Sequence, residues 1–147
     1  MKLKVLFLCA NNSVQSPMAE ALLTMLDTDH FEAASAGILR GRLHPYAVEV
    51  MKEIGIDIHD RRTKAIQDIA DGCFDFVITL CNRAKSERPD FPGAEFVHWQ
   101  LDDPSTAVDE VKRKRMFQAL RDQIAQRLRL FTLVQVRFSP QHDSSAA

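Results

Sequence analysis

The chain has 147 residues, of which 46% are hydrophobic and 27% charged, and its formal net charge is −1 at pH 7. This size and balance indicate one soluble domain with a hydrophobic core, and the near-neutral charge argues against a broad surface for nucleic acid or for a membrane. The apolar run after Met1 is too short for a signal peptide or a membrane span, so we expect a cytoplasmic protein with reduced cysteines.

The first predicted element is a buried strand at residues 5–8 that ends in Cys9. Small polar residues follow, and Ser16-Pro17 is typical of a helix start, with serine as the cap and proline in the first turn. Free backbone N–H groups and the positive end of the helix dipole would then point at one place. A cysteine at a strand end is usually a small buried hydrophobe, but the loop and the helix start favour a Cys9 thiolate that faces a bound oxyanion.

The middle of the chain alternates between helical and extended patterns. Apolar periodicity, glycines and prolines predict these elements in order: a helix at 18–26, a weak strand at 31–37, a helix at 45–54, a short helix at 66–70 and a strand at 74–81. That last strand again places a cysteine, Cys81, at its end.

The last third begins with a predicted polar loop at 82–93 and a strand at 95–99. A long amphipathic helix is predicted at 109–131, followed by a β-prone segment at 132–138 and a frayed end. Strands that alternate with helices predict a parallel sheet, whose ligands bind at the carboxyl ends of the strands. Cys9, Cys81 and the loop that holds Asp102-Asp103 should therefore meet at one edge.

These motifs resemble the low-molecular-weight protein tyrosine phosphatase superfamily, and within it the arsenate reductases coupled to thioredoxin. The family pattern Cys-x5-Arg-Ser/Thr corresponds here to Cys9, Gln15 and Ser16, and residues 98–104 resemble the acid loop of the reductases. The phosphatases usually carry two tyrosines after the Asp-Pro pair, where this chain has Ser105 and Thr106. Because Cys81 also falls where the reductases keep a second redox cysteine, the resemblance favours a reductase.

The resemblance implies a single three-layer α/β domain over residues 1–131, with a four-stranded parallel sheet in the order 2-1-3-4 flanked by helices. Residues 132–147 would be an extension, partly disordered or forming an added strand or a dimer contact. The implied activity is reduction of arsenate, with Cys9 as nucleophile, Asp103 as general acid and Cys81 as a second thiol. The implied oxyanion-binding residues are Ala10, Asn11, Asn12, Ser13, Val14, Gln15 and Ser16. No bound cofactor is expected, and thioredoxin or glutathione with glutaredoxin would act as the external reductant.

Two departures from the family pattern affect this chemistry. Gln15 replaces an arginine that would bind the oxyanion with a charged, bidentate fork, and losing such a bond costs about 1.5–3 kcal/mol. Four other arginines are candidates to compensate: Arg40, Arg42, Arg83 and Arg88. Arg88 also stands where three-cysteine reductases have their last cysteine, so an external thiol becomes a plausible second attacker.

Two other functions remain open from the sequence. A phosphomonoester phosphatase would use Cys9 and Asp103 through a phosphocysteine, and a non-catalytic relative would bind an oxyanion or a phosphoprotein without turnover. His44, His59 and His98 are too scattered for a metal site, so none is expected. The basic run at 112–115 is expected to be a solvated helix face.

Overall fold

In the computed structural model, which describes residues 1–138, four parallel strands form one sheet in the order β2-β1-β3-β4. The strands are β1 (Leu3–Cys9), β2 (Phe31–Gly37), β3 (Phe76–Thr79) and β4 (Glu95–His98). Strand β1 lies between β2 and β3, and its last residue, Cys9, pairs with Gly37. The predicted parallel sheet and its strand order are confirmed.

Helices cover both faces of this sheet. They are α1 (Gln15–Leu26), α2 (Pro45–Lys52), α3 (Asn82–Glu87) and α4 (Glu110–Phe138), with short 3-10 helices at Ile66–Asp68 and Pro104–Thr106. Side chains alternate along a strand, so Val5, Phe7 and Cys9 enter the core beneath α1, α2 and α4. Leu6 and Leu8 enter the smaller core on the other face, beneath α3. The functional cysteine candidate therefore points towards the larger layer of helices.

Two predicted elements are wrong. Residues 132–138 do not form an added strand, because α4 continues through them to Phe138. The ring of Phe131 packs against Phe31, Phe76 and Trp99, and this contact with the sheet overrides the local β-propensity. The expectations for residues 139–147 lie outside the described part of the chain.

The predicted loop at 82–93 contains the third helix, α3. The Cys81 sulfur accepts a hydrogen bond from the N–H of Ala84 at 3.5 Å and so caps this helix. Ala84 is buried against the sheet, which gives the short helix a tertiary contact. No helix within residues 1–138 has the length and apolarity that a membrane crossing requires.

Candidate active site

The site is built around Cys9, which ends β1 and is buried, with 3% of its surface exposed. Its sulfur lies 2.9 Å from Oγ of Ser16 in the first turn of α1. The sequence predicted Ser16 as the cap of that helix, but the cap position belongs to Val14 and no side chain caps it. Ser16 therefore has a different role, which is to place a hydroxyl against the cysteine.

Asn12 holds this hydroxyl in position. Its Nδ2 donates to Oγ of Ser16 at 2.8 Å and to Oγ of Ser35 at 3.1 Å, while its Oδ1 accepts from the N–H of Lys64 at 2.9 Å. Because Ser16 accepts from Asn12, its own proton is available to the Cys9 sulfur, with a carbonyl of β2 at 3.4 Å as the only weaker competitor among the described contacts. A thiolate at Cys9 is the stronger acceptor, and Ser16 is placed to stabilise it.

The loop at residues 10–14 wraps between β1 and α1. Asn12 in this loop adopts a positive φ of 55°, a conformation that asparagine tolerates better than most residues. The segment after β2 donates N–H groups to loop carbonyls, from Leu39 to Ala10 at 2.9 Å, from Gly41 to Asn11 at 2.8 Å and from His44 to Ser13 at 3.0 Å.

The backbone N–H groups of this turn are open to a ligand. Within the described chain, residues 11–16 donate no backbone hydrogen bond to another residue. They are consecutive, they follow the buried Cys9, and they lead into the N-terminus of α1. Consecutive N–H groups without a partner at a helix start are suited to binding an oxyanion.

Cys81 follows β3 at the same edge of the sheet and is half-buried. Its burial raises the pKa of the thiol, and the charge of Cys9 raises it further. Backbone N–H groups of Ala84, Arg83 and Ala10 act in the opposite direction on this pKa. The N–H of Leu80 donates to the carbonyl of Leu8 at 2.9 Å, so Cys9 and Cys81 follow hydrogen-bonded ends of adjacent strands. The third cysteine, Cys73, is exposed and lies before the start of β3, at the opposite end of the strand.

The side chain of Gln15 does not face the open N–H groups. It is buried, and its Nε2 donates to the carbonyl oxygens of Leu101 and Asp102, both at 3.0 Å. Both amide protons are thereby used on the acid loop. Gln15 thus fixes the loop to the base of α1, and only its backbone N–H is available to an anion.

Asp103 follows at the exposed end of this loop. Its Oδ1 accepts from the N–H and the hydroxyl of Ser105, at 2.9 and 2.6 Å, and so caps the 3-10 helix at Pro104–Thr106. It lies close enough to His44 to raise the pKa of that imidazole, although burial and the Arg113 cation outweigh it and lower the pKa overall. Because the N–H of His44 is bonded to Ser13, Asp103 lies near the oxyanion loop.

The four arginines that the sequence offered as substitutes for the loop arginine are placed elsewhere. Nε of Arg83 pairs with Glu87 at 2.8 Å, and the guanidinium of Arg88 stacks 3.4 Å from the ring centre of Phe96. Arg40 and Arg42 line a groove beside the loop. In the described chain none of the four donates a side-chain hydrogen bond to the loop.

The sequence did not identify two contributors to the site, Ser35 and Lys64. Ser35 lies inside the strand predicted at 31–37, and a polar side chain in a strand is a usable sign of a contact. Lys64 contributes only its backbone N–H to Asn12, and no sequence pattern predicts such a contact. Among residues 1–138, no group of three or more His, Cys, Asp or Glu is placed to hold a metal ion.

Comparison with known proteins places these features in context. Residues 4–138 match the family model for low molecular weight phosphotyrosine protein phosphatase. An arsenate reductase of Shouchella clausii is 38% identical over 130 residues, covering 86% of this chain and 93% of the relative. A glutaredoxin arsenate reductase of Synechocystis sp. is 34% identical over 126 residues, covering 85% and 92%. A solved arsenate reductase in a phosphate-binding state has a TM-score of 0.77 and 32% identity, covering 89% of this chain and 96% of the other.

Proposed function

The chain belongs to the low molecular weight phosphotyrosine protein phosphatase family, and from this premise we propose that it is a thiol-dependent arsenate reductase whose nucleophile is Cys9. The family membership confirms the resemblance that the loop motif indicated. The observation that carries the proposal is the position of Cys81, which follows β3 beside the end of β1 that holds Cys9; the N–H of Leu80 donates to the carbonyl of Leu8 at 2.9 Å. A phosphatase needs a single cysteine, whereas reduction of arsenic needs a second thiol, which Cys81 supplies from within the chain in this proposal.

In the first step, arsenate binds to the open N–H groups of residues 11–16. The Cys9 thiolate, stabilised by Ser16, attacks arsenic, and an As–O bond breaks as the S–As bond forms. Asp103 protonates the departing oxygen, which leaves as water. The two Gln15 hydrogen bonds to the acid loop keep Asp103 within reach of the bound oxyanion.

In the second step, Cys81 loses its proton to water, and its thiolate attacks the sulfur of Cys9. A Cys9–Cys81 disulfide forms, and the electron pair of the S–As bond stays on arsenic, so arsenic(V) is reduced to arsenite. Burial and the charge of Cys9 raise the pKa of Cys81, which keeps it a thiol while Cys9 attacks. When the Cys9 thiolate has bonded to arsenic, its negative charge no longer raises the pKa of Cys81. The N–H groups of Ala84, Arg83 and Ala10 then favour the Cys81 thiolate.

An external thiol then restores the two cysteines. Thioredoxin, or glutathione with glutaredoxin, supplies the electrons, as the name of the glutaredoxin-dependent relative suggests. The reaction belongs in a compartment that keeps thiols reduced, such as the cytoplasm. In the proposed reaction, electrons enter the chain at the Cys9–Cys81 disulfide, and no other group of the chain is oxidised or reduced.

The test is NADPH consumption on arsenate, with thioredoxin and its reductase in one assay and glutathione, glutaredoxin and glutathione reductase in another. We expect turnover in at least one system, its complete loss in Cys9→Ser, and its loss in Cys81→Ser. Cys73→Ser is the matched control, because Cys73 lies at the opposite end of β3 and should leave turnover unchanged.

Absence of arsenate-dependent NADPH consumption in both systems would overturn the proposal. Hydrolysis of p-nitrophenyl phosphate by such a protein would then indicate a phosphatase, and its absence a non-catalytic relative. Full activity of Cys81→Ser would remove Cys81 from the mechanism while leaving the reductase activity in place.

A further inference from the structure

A groove lined by arginines opens beside the oxyanion loop. Its volume is about 560 Å³, and its walls include Arg40, Arg42, Leu43, Arg61, Arg62 and Thr63; we refer to it as the arginine groove. We propose that the arginine groove binds the carboxylates of glutathione and delivers its thiol to Cys9. The inference rests on the proposed reductase function and names the small thiol that the reductase uses directly.

The groove holds positive charge that the described chain does not neutralise. Arg61 pairs with Glu20, which also lies 3.9 Å from Nζ of Lys64. Arg40, Arg42 and Arg62 have no ion pair within residues 1–138. Three such guanidinium groups in one groove are notable in a chain whose formal net charge is −1. Guanidinium groups bind carboxylates through paired, charge-assisted hydrogen bonds.

Hydrogen bonds join the arginine groove to the loop at residues 10–14, which follows Cys9. The N–H of Gly41 donates to the carbonyl of Asn11 at 2.8 Å, and Oγ1 of Thr63 donates to the carbonyl of Gly41 at 2.6 Å. A Cβ atom added to Gly41 would lie 2.9 Å from the carbonyl oxygen of Asn11, so the two backbones are in close contact. A small molecule held in the groove therefore lies at the side of the oxyanion site.

The order of the strands indicates from which side the thiol of glutathione would approach Cys9. The groove is formed by the segment after β2 and by residues 61–63, whose continuation bridges to Gly37 at the end of β2. Cys81 follows β3, and β1 lies between β2 and β3. Cys9 thus lies between the groove and Cys81. Thiol–disulfide exchange goes through a mixed disulfide, formed when a thiolate attacks one sulfur and expels the other.

Glutathione matches the groove in charge and in size. It carries two carboxylates and one thiol, and the groove volume falls in the range of about 300–1,000 Å³ that is usual for small-molecule sites. Its thiolate attacks the sulfur of Cys9 in the Cys9–Cys81 disulfide, a bond forms between the two sulfurs, and Cys81 leaves as the thiolate. A glutaredoxin thiol or a second glutathione then attacks the glutathione sulfur and releases the Cys9 thiolate. Two electrons pass from the external thiols to the protein.

Binding can be measured without turnover by titrating the reduced protein with S-methylglutathione, which keeps the carboxylates and lacks a reactive thiol. The test variant is Arg40→Gln/Arg62→Gln, which spares the Arg61 pair with Glu20. The control is Arg115→Gln/Arg129→Gln, two exposed arginines of α4. We expect the dissociation constant to rise at least about tenfold in the test variant and to stay within about twofold of the wild type in the control.

The same pair of variants is then compared in the glutathione-supported assay. The KM for glutathione should rise in the test variant by the same factor as the dissociation constant. The glutathione diethyl ester, which lacks free carboxylates, should bind the wild type no better than S-methylglutathione binds the variant. Three results would overturn the proposal: no binding of S-methylglutathione to wild type, equal binding in all three proteins, or an equal loss of the thioredoxin-supported rate, which would indicate a protein-docking surface.

These outcomes separate the groove from the proposed function. If arsenate is reduced but S-methylglutathione does not bind, the groove proposal fails and the reductase remains. If S-methylglutathione binds through the two arginines but arsenate is not reduced, the reductase proposal fails, and with it the delivery step, while the carboxylate site stands.

Discussion

Replacing Ser16 by alanine removes a hydroxyl that lies 2.9 Å from the Cys9 sulfur. Oγ of Ser16 is held by Asn12, which donates to it at 2.8 Å, so its proton is directed at the sulfur before any substrate binds. We expect the substitution to remove the one side-chain hydrogen bond that the described residues give the Cys9 sulfur. Both the alkylation of Cys9 and the reduction of arsenate should slow in consequence.

The size of the effect follows from the charge on the acceptor. A hydrogen bond to a charged group contributes about 1.5–3 kcal/mol. Each 1.4 kcal/mol is about a factor of ten, so alkylation at neutral pH should fall by about 10- to 100-fold. The lower end is favoured, because the Asn12 amide loses its acceptor in the variant and becomes free to donate to the sulfur in place of the hydroxyl.

Ser35→Ala is the matched control. Ser35 is also buried and accepts from the same Asn12 amide, at 3.1 Å, but it makes no hydrogen bond to Cys9. The assay is the rate of iodoacetamide modification of the Cys9 peptide, followed by mass spectrometry, with exposed Cys73 as an internal standard. An alkylation rate in Ser16→Ala equal to that of wild type, or an equal slowing in Ser35→Ala, would refute the assignment of Ser16.

Two further predictions concern stability. Burial and the nearby Arg113 cation lower the pKa of His44 below its ordinary value of 6.5, so the unfolded chain binds a proton more readily than the folded one. Stability should therefore fall as the pH drops below 6.5, and His44→Asn, which keeps a capping acceptor for α2, should show a smaller fall between neutral and mildly acidic pH in urea denaturation. Gly37→Ala would place a Cβ 2.5 Å from the backbone carbon of Asn11, so we expect thermal unfolding to show a loss of at least about 1–3 kcal/mol. In the control Gly72→Ala the new Cβ lies 2.9 Å from the ring edge of Phe74, a side chain that can move, and 3.1 Å from the carbonyl oxygen of Ile69. Because its backbone contact is longer than those at Gly37, this control should cost less, and equal losses would show that the loop backbone at Gly37 yields easily.

The sheet could be predicted because short, continuous stretches of the sequence indicate its strands. Residues 5–8 form a short apolar run that is followed by Cys9, and residues 76–80, apolar apart from Thr79, are followed by Cys81. Such runs indicate buried parallel strands, and parallel strands put their carboxyl ends at one edge. The placing of Cys9 beside Cys81 follows from those two facts without any knowledge of side-chain contacts.

The elements that failed depend on distant partners. Residues 132–138 have a β-prone composition, but they lie at the end of a helix that the ring of Phe131 fastens to the sheet. Helix α3 is too short to show a helical period, and it exists because Cys81 caps it and Ala84 is buried beneath it. Neither contact can be inferred from the segment alone, since tertiary packing decides both.

Gln15 shows the same limit inside the site, and its position changes how the loop must work. Its partners are 86 and 87 residues away in the chain, so the sequence indicated a lost donor and not a new anchor. The amide brings no charge to the oxyanion, and loss of one such donor lowers a rate by about 10²–10³ in other enzymes. The same amide holds the acid loop against α1, which in the proposed mechanism limits the reorganisation that Asp103 needs to act as general acid. The positive field at the loop must then come from the open N–H groups, the start of α1 and the arginine groove at its side.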